Sequence, residues 1–171
     1  VRDNERNPVA PGESGEVWIR NSWLFNGYWN NPEATAEAMV DGWCSVGDLG
    51  RLDAEGYLYL LDRKKNVIIS GGQNIFPREI EEILYRHPAV REAAVVGRND
   101  DYWGEAVTAF IVLADGKAVT ADDLKEQCAN ALSRYKLPKA FHFIDALPKN
   151  ASNKVLHREL RDAVNRGDFD T

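Results

Sequence analysis

The sequence predicts an α/β (α+β) fold: a small domain with a central sheet flanked by helices, preceded by a β-rich stretch. Three observations predict it. Residues 90–97 (VREAAVVG) and 106–113 (AVTAFIVL) are apolar runs of strand length, rich in β-branched side chains. Pro77 suits the first position of a helix whose Ile80, Ile83 and Leu84 share one apolar face. Thr120 and Asp123 read as a capping box, with Asp in place of Glu, that opens another helix. Strands and helices alternating in this way build a sheet covered by helices. A chain of 171 residues can bury one good core, or a small domain with an appended lobe.

Taken in order, residues 1–14 read as an exposed leading loop with a Pro11–Gly12 turn, and residues 15–20 (GEVWIR) as a strand. A short helix is expected over 33–39. Trp23, Phe25, Tyr28 and Trp29 could form a base-stacking platform. With an acidic chain and no interleaved Lys or Arg, packing into a core or against a subdomain is the expectation. Residues 51–62 read as a β-hairpin turning at Asp53, Ala54, Glu55 and Gly56. Val67, Ile68 and Ile69 form a strand, and Ser70, Gly71 and Gly72 a glycine turn leading to the helix at Pro77. Glu79, Glu81 and Glu82 fall in its positive first turns, and Pro88 closes it. A loop is expected over 98–105. The Thr120 helix places Leu124, Cys128 and Leu132 on one face and ends near Ser133. A strand over 140–144 and a last helix over 156–164 follow, then a frayed tail over 165–171.

A net charge of −6 and a pI near 5.1 argue against a general nucleic-acid binder. An anionic ligand must therefore meet a local basic cluster, such as Arg63, Lys64 and Lys65. No apolar run approaches membrane-spanning length. Cys44 and Cys128 have no metal-site spacing and read as packed side chains in a reducing, cytoplasmic setting. His87, His142 and His157 have no spacing that suggests a metal or a triad. The polar opening without an initiator Met reads as a fragment.

Residues 60–82 (LLDRKKNVIISGGQNIFPREIEE) carry the most information. Over 62–81 they follow G/D-R-x-D/K-x-x-I-x-x-G-G-x-x-I-x-P-x-E-I-E. This stretch resembles the hinge and glycine loop of the acyl-adenylate-forming superfamily of acyl-CoA synthetases, luciferases and peptide-synthetase adenylation domains. Three further segments are similar to that family. GEVWIR with the later Gly27-Tyr28, Pro32-Glu33 and Thr35 resembles G-E-[IVL]-x-[IV]-[RK] and G-Y-x-x-x-P-E-x-T. Residues 42–48 (GWCSVGD) resemble G-W-[FLY]-x-T-G-D, with Val46 where Thr is usual. Residues 147–158 (LPKNASNKVLHR) resemble P-K-x-x-x-[GN]-K-[IVL]-x-R, with Asn153 where Gly is commonest; Asn also tolerates left-handed backbone.

The resemblance implies that residues 1–65 end the large N-terminal adenylation domain, as a β-rich remnant and hinge, and that 66–171 form the mobile C-terminal domain. Asp48 would hold the ATP ribose, since one carboxylate can accept from both hydroxyls. Arg63 would contact the nucleotide and Lys65 would be the hinge. Standing alone, these three are an ordinary turn aspartate and solvated strand-end cations. Gly71 and Gly72 would border the pantetheine tunnel, with Trp103, Tyr135 and Lys139 near the CoA nucleotide. Lys154 would be catalytic, neutralising the repulsion between the substrate carboxylate and the ATP α-phosphate. The implied activity is an ATP-dependent carboxylic acid–CoA ligase, favouring a fatty acyl substrate, although the 147–154 wording also resembles benzoate-type ligases. ATP with Mg²⁺ would be bound mainly by the missing N-terminal domain, and CoA would be the co-substrate. No residue here is assigned to a metal, and no S-G-T-T-G-x-P-K phosphate loop occurs, so the fragment alone is expected to be inactive. The alternatives are a binding module for CoA or a phosphopantetheine carrier, or an adenylation domain serving a carrier protein.

Overall fold

The computed structural model describes residues 1–169, which form two compact units, Val1–Lys65 and the chain from Asn66 onward. In the first unit, β1 (Ser14–Ile19), α1 (Pro32–Ala38), β2 (Met39–Val40), β3 (Trp43–Leu52) and β4 (Leu58–Arg63) follow one another. The long β3 is the hub. β1 lies antiparallel along one edge of it, while β2 and β4 take the two ends of the other edge. The expected hairpin turn is present: Asp53 Oδ1 accepts from the backbone N–H groups of Glu55 and Tyr57.

Three expectations change in this unit. The leading residues are not merely a loop, because Arg2 and Glu16 exchange both backbone hydrogen bonds, at 2.9 and 2.8 Å. The glycine turn before Asp48 is a bulge inside β3. Trp18 pairs with Ser45 and Glu16 with Leu49, so Val46, Gly47 and Asp48 stand opposite Val17 alone, two residues of extra length, with Gly47 at φ +72°. The aromatic cluster does not join a core: Trp23 is 92% and Trp29 97% exposed. No helix in this unit offers a buried face to receive them, since α1 buries none of its residues.

The second unit is built on a long hairpin, β7 (Val90–Asp100) and β8 (Gly104–Leu113), paired from end to end. β9 (Ala140–Phe143) adds in parallel to the other edge of β8, and β5 (Ile68–Ser70) joins the start of that edge, followed by β6 (Gln73–Ile75). Side chains alternate between the two faces of a strand. Val95, Val107, Ala109 and Ile111 accordingly pack under α2 (Pro77–Leu84) and α3 (Ala121–Ala129), against Ile80, Leu84, Leu124 and Cys128. Ala94, Val96, Phe110 and Val112 face the other way, onto Leu147 and onto Leu160 and Val164 of α4 (His157–Arg166). This is the expected sheet flanked by helices. The capping box is also present, with Asp123 N–H donating to Thr120 Oγ1 and Thr120 N–H to Asp123 Oδ2.

Other local expectations are revised. The glycine turn does not lead from a strand into a helix. Gly71 and Gly72, at φ +56° and +77°, form the two-residue turn of the β5–β6 hairpin, a geometry that needs positive φ at both positions. The helix starts only after β6. The 98–105 loop is mostly sheet, because the β7–β8 register runs on to Asp100 opposite Gly104. α3 stops at Ala129, although Leu132 still packs on the core. α4 runs through Arg166 and ends at the left-handed Gly167, so part of the expected frayed tail is helical; Asp170 and Thr171 lie outside the described residues.

Candidate active-site elements

In the first unit the structure brings together two residues that are fifteen positions apart in the sequence, Asp48 and Arg63. They face each other across the β3–β4 register, and Arg63 Nε lies 3.0 Å from Asp48 Oδ1. The guanidinium engages one carboxylate oxygen, and the other retains acceptor capacity. Beside the pair is a cavity of about 630 Å³ whose lining includes Trp18, Tyr28, Gly47, Arg63, Lys64 and Lys65. Lys64 Nζ donates to Glu16 at 3.0 Å, and the Ser45 hydroxyl donates to the same carboxylate at 2.5 Å. Burial works against ionising Glu16, but Ser45 and Lys64 outweigh it and hold the carboxyl below its usual range. Glu16 and Ser45 were not singled out from sequence, because their partnership joins residues 29 apart. Lys65 is exposed, in a short 3₁₀ turn over Lys64–Asn66, and is the last residue of this unit.

In the second unit, Gly71, Trp103 and Lys139 come together. Gly71 N–H donates to the Trp103 carbonyl at 2.8 Å. The indole lies against Gly71 so closely that a Cβ there would stand 2.9 Å from the ring. Lys139 Nζ sits 5.4 Å from the centre of the same ring, in cation–π range. The Trp103 backbone is held in turn by Asp100, whose Oδ1 accepts its N–H at 2.8 Å. The result is an exposed aromatic face flanked by a cation and by bare backbone. Tyr135 lies on a separate 3₁₀ turn over Arg134–Lys136, and no hydrogen bond or ring contact joins it to the other three among the described residues. That turn is tied to α2 through Lys136 Nζ, which reaches both Glu79 oxygens at 2.8 and 2.6 Å.

Lys154 occupies a third place. Pro148 to Leu156 form a narrow loop closed by a bridge between Lys149 and Val155. Asn150 Oδ1 accepts the N–H groups of Ser152 and Lys154, both at 3.0 Å. Asn153 adopts φ +60°, so it takes the left-handed conformation that glycine otherwise provides. Polar side-chain contacts flank the loop on both sides. Lys149 Nζ lies 2.5 Å from Glu92 Oε2, and His157 Nε2 lies 3.1 Å from Glu81 Oε1. Glu81 Oε1 also accepts the Val95 N–H at 2.9 Å, so this carboxylate serves the sheet rather than the first turn of α2. Lys154 itself is exposed, and its ammonium meets no ion-pair or hydrogen-bond partner among the described residues. A fixed backbone thus presents an open cation. His157, which has no metal or triad spacing in the sequence, braces this loop through Glu81.

Both cysteines are free and buried, and burial pushes the Cys128 thiol up to about 11, which leaves it a packing group. Among the described residues no cluster of His, Cys, Asp and Glu could hold a metal ion, so these side chains do not fit a Mg²⁺ site of their own. No helix among them is long and apolar enough to cross a membrane.

A helix-covered sheet with an exposed lysine loop and a glycine hairpin defines the class. Residues 79–154 match the AMP-binding enzyme C-terminal domain, and most of the chain is similar to acyl-CoA ligases that form acyl-adenylates. The 2-succinylbenzoate–CoA ligase of Bacillus cereus is 48% identical over 156 residues, covering 91% of this chain and 32% of the relative. A long-chain-fatty-acid–CoA ligase of Bacillus subtilis is 47% identical over 152 residues, covering 89% of this chain and 27% of the relative. Among solved structures, the o-succinylbenzoate CoA synthetase MenE of Bacillus subtilis, in complex with its acyl-adenylate intermediate, superposes with a TM-score of 0.89 at 42% identity, over 95% of this chain and 33% of that one. The same enzyme has also been solved with ATP and a magnesium ion. The chain therefore spans about a third of the length of the proteins it matches.

Proposed function

We propose that this chain is the C-terminal portion of an AMP-forming carboxylic acid–CoA ligase. One observation carries the reading: among the described residues Lys154 is a cation without a partner, on a loop braced by Lys149–Glu92 and His157–Glu81. Such a group is preorganised for a negative charge that this chain does not supply. In the first half-reaction a carboxylate oxygen attacks the α-phosphorus of ATP, the bond to pyrophosphate breaks, and Lys154 stabilises the charge spread over the phosphoryl oxygens. Asp48 and Arg63 hold the nucleotide. In the second, a thiolate of CoA attacks the acyl carbon and AMP leaves. Gly71 and Gly72 border the pantetheine arm, and Trp103, Lys139 and Tyr135 meet the nucleotide end of CoA. Lys65 is the pivot between the two arrangements, 1–65 belonging to the adenylation domain and 66–171 to the mobile one. Mg²⁺ enters with ATP and is held outside this chain. Two free, buried cysteines suit a cytoplasmic setting.

The acid is better read as an aromatic carboxylate of the 2-succinylbenzoate kind than as a fatty acid. The benzoate-like wording of 147–154 and the identity of the relatives support it; the fatty acyl relative keeps a long-chain acid as the second reading. The test is ATP–pyrophosphate exchange by the full-length ligase across aromatic, fatty and short-chain acids. Lys154→Ala should lower exchange by about 10²–10³ and largely spare thioester formation from a supplied acyl-adenylate. Equal loss of both half-reactions would remove Lys154 from this role. Exchange with no acid at all would leave a CoA- or carrier-binding module.

A further inference from the structure

We propose that Glu105 is the positioning residue of the glycine hairpin: its carboxylate, seated in space left by Gly97, holds β5 and so aims Gly71–Gly72. The proposal rests on the ligase reading, in which that hairpin borders the thiol. β5 is joined to β8 through a single residue pair, Ser70 opposite Gly104. Within the hairpin Ser70 pairs with Gln73 next to the two-residue turn, and Ile69 pairs with Asn74. Hydrogen-bonded and non-hydrogen-bonded pairs alternate along an antiparallel ladder, and the pair closing a two-residue turn is a bonded one. Ile69 N–H therefore points away from β6, towards the edge where backbone pairing with β8 has given out. Glu105 Oε2 accepts it there at 2.6 Å. Beyond Ser70, Gly71 N–H donates to the Trp103 carbonyl. Two bonds from the start of β8 thus bracket the hairpin, and the charge-assisted one comes from a side chain.

Gly97 makes this possible. It lies on β7 opposite Val107, diagonal to Glu105 on the same face of the sheet. A Cβ on Gly97 would stand 2.5 Å from Glu105 Oε1 and 2.7 Å from its Cδ. Its backbone is not left-handed, so glycine is needed here for room rather than for conformation. Among the described residues Glu105 makes no hydrogen bond to Gly71 or Gly72, and it acts through the backbone of β5.

The experiment combines amide hydrogen exchange across residues 68–72 with separate assays of both half-reactions in the full-length ligase. Glu105→Ala should speed exchange at Ile69 and Gly71 by about tenfold or more, and raise KM for CoA in the thiol step relative to any change in adenylation. Glu105→Gln keeps a carbonyl acceptor and should restore most of both. Gly97→Ala should reproduce Glu105→Ala by evicting the carboxylate, and the double variant should be no worse than either single one. Unchanged exchange at Ile69 in Glu105→Ala, or Gln as impaired as Ala, overturns the proposal. If Glu105→Ala does not fold, Glu105→Gln and Gly97→Ala decide it. If the ligase shows no exchange with any acid, the ligase reading fails, while Ile69 exchange still tells whether Glu105 holds the hairpin.

Discussion

The two units treat their apolar side chains in opposite ways. From Asn66 onward, alternate residues of β7 and β8 are buried on both faces, under α2 and α3 on one side and α4 on the other. Phe110 is fully buried there, its ring 4.9 Å from Phe169 and 5.3 Å from His142. In Val1–Lys65 the buried hydrophobic residues are Val17, Trp18 and Cys44, and Leu58, Tyr59 and Leu60 of β4 are each about half exposed. The difference is not one of aromatic content, since the first unit is rich in Trp and Tyr. It lies in whether a covering element is available for each face. Hydrophobic stabilisation scales with area removed from water, so the second unit carries most of the chain's folding energy.

The comparison is tested most severely by Phe110→Ala, which should cost about 3–5 kcal/mol in denaturant unfolding because the cavity lies between closed layers. A cost below about 1 kcal/mol would mean that this core is not close-packed. Gly71→Ala should cost about 1–2 kcal/mol from left-handed backbone alone. It should exceed Gly72→Ala, because the new Cβ at 71 meets the Trp103 ring, whereas nothing lies within 4 Å at 72. Equal costs would separate the indole from the hairpin. Glu16→Gln sharpens the account of the first unit. The folded carboxyl lies below its ordinary value of 4.5, so Glu16 adds stability above 4.5 that is lost as pH falls through the lower folded value. The variant should lose about 1 kcal/mol at neutral pH and converge with the parent in acid. A gap that stays constant with pH would point to packing instead. Trp29→Ala should change stability by less than about 0.5 kcal/mol, since its side chain is already in water; a larger loss would show that the surface is covered in solution.

What was legible around these residues was local backbone: positive φ at Gly71 and Gly72 and the left-handed Asn153 follow from residue type. The roles given to Lys154 and the glycine pair came from the family resemblance and not from their spacing. The braces were not legible. Glu16–Ser45, Glu79–Lys136, Glu81–His157 and Glu105–Ile69 join residues 29 to 76 positions apart, and nothing in a surface-type glutamate announces its partner. Gly97 was the one available signal, a glycine within an apolar strand, which marks a close approach without saying of what.

By itself the sequence determined the alternation of strands and helices, the capped helix starts, and the sites of the turns, because each depends on side-chain period or on backbone preferences over a few residues. Tertiary structure decided whether the glycine turn leads to a helix or folds a hairpin, how far β7 and β8 extend, and which aromatic residues are buried. Those outcomes depend on pairing along β8 and on which faces receive a cover. Both are set by contacts between residues remote in the chain, so local preference cannot select among them.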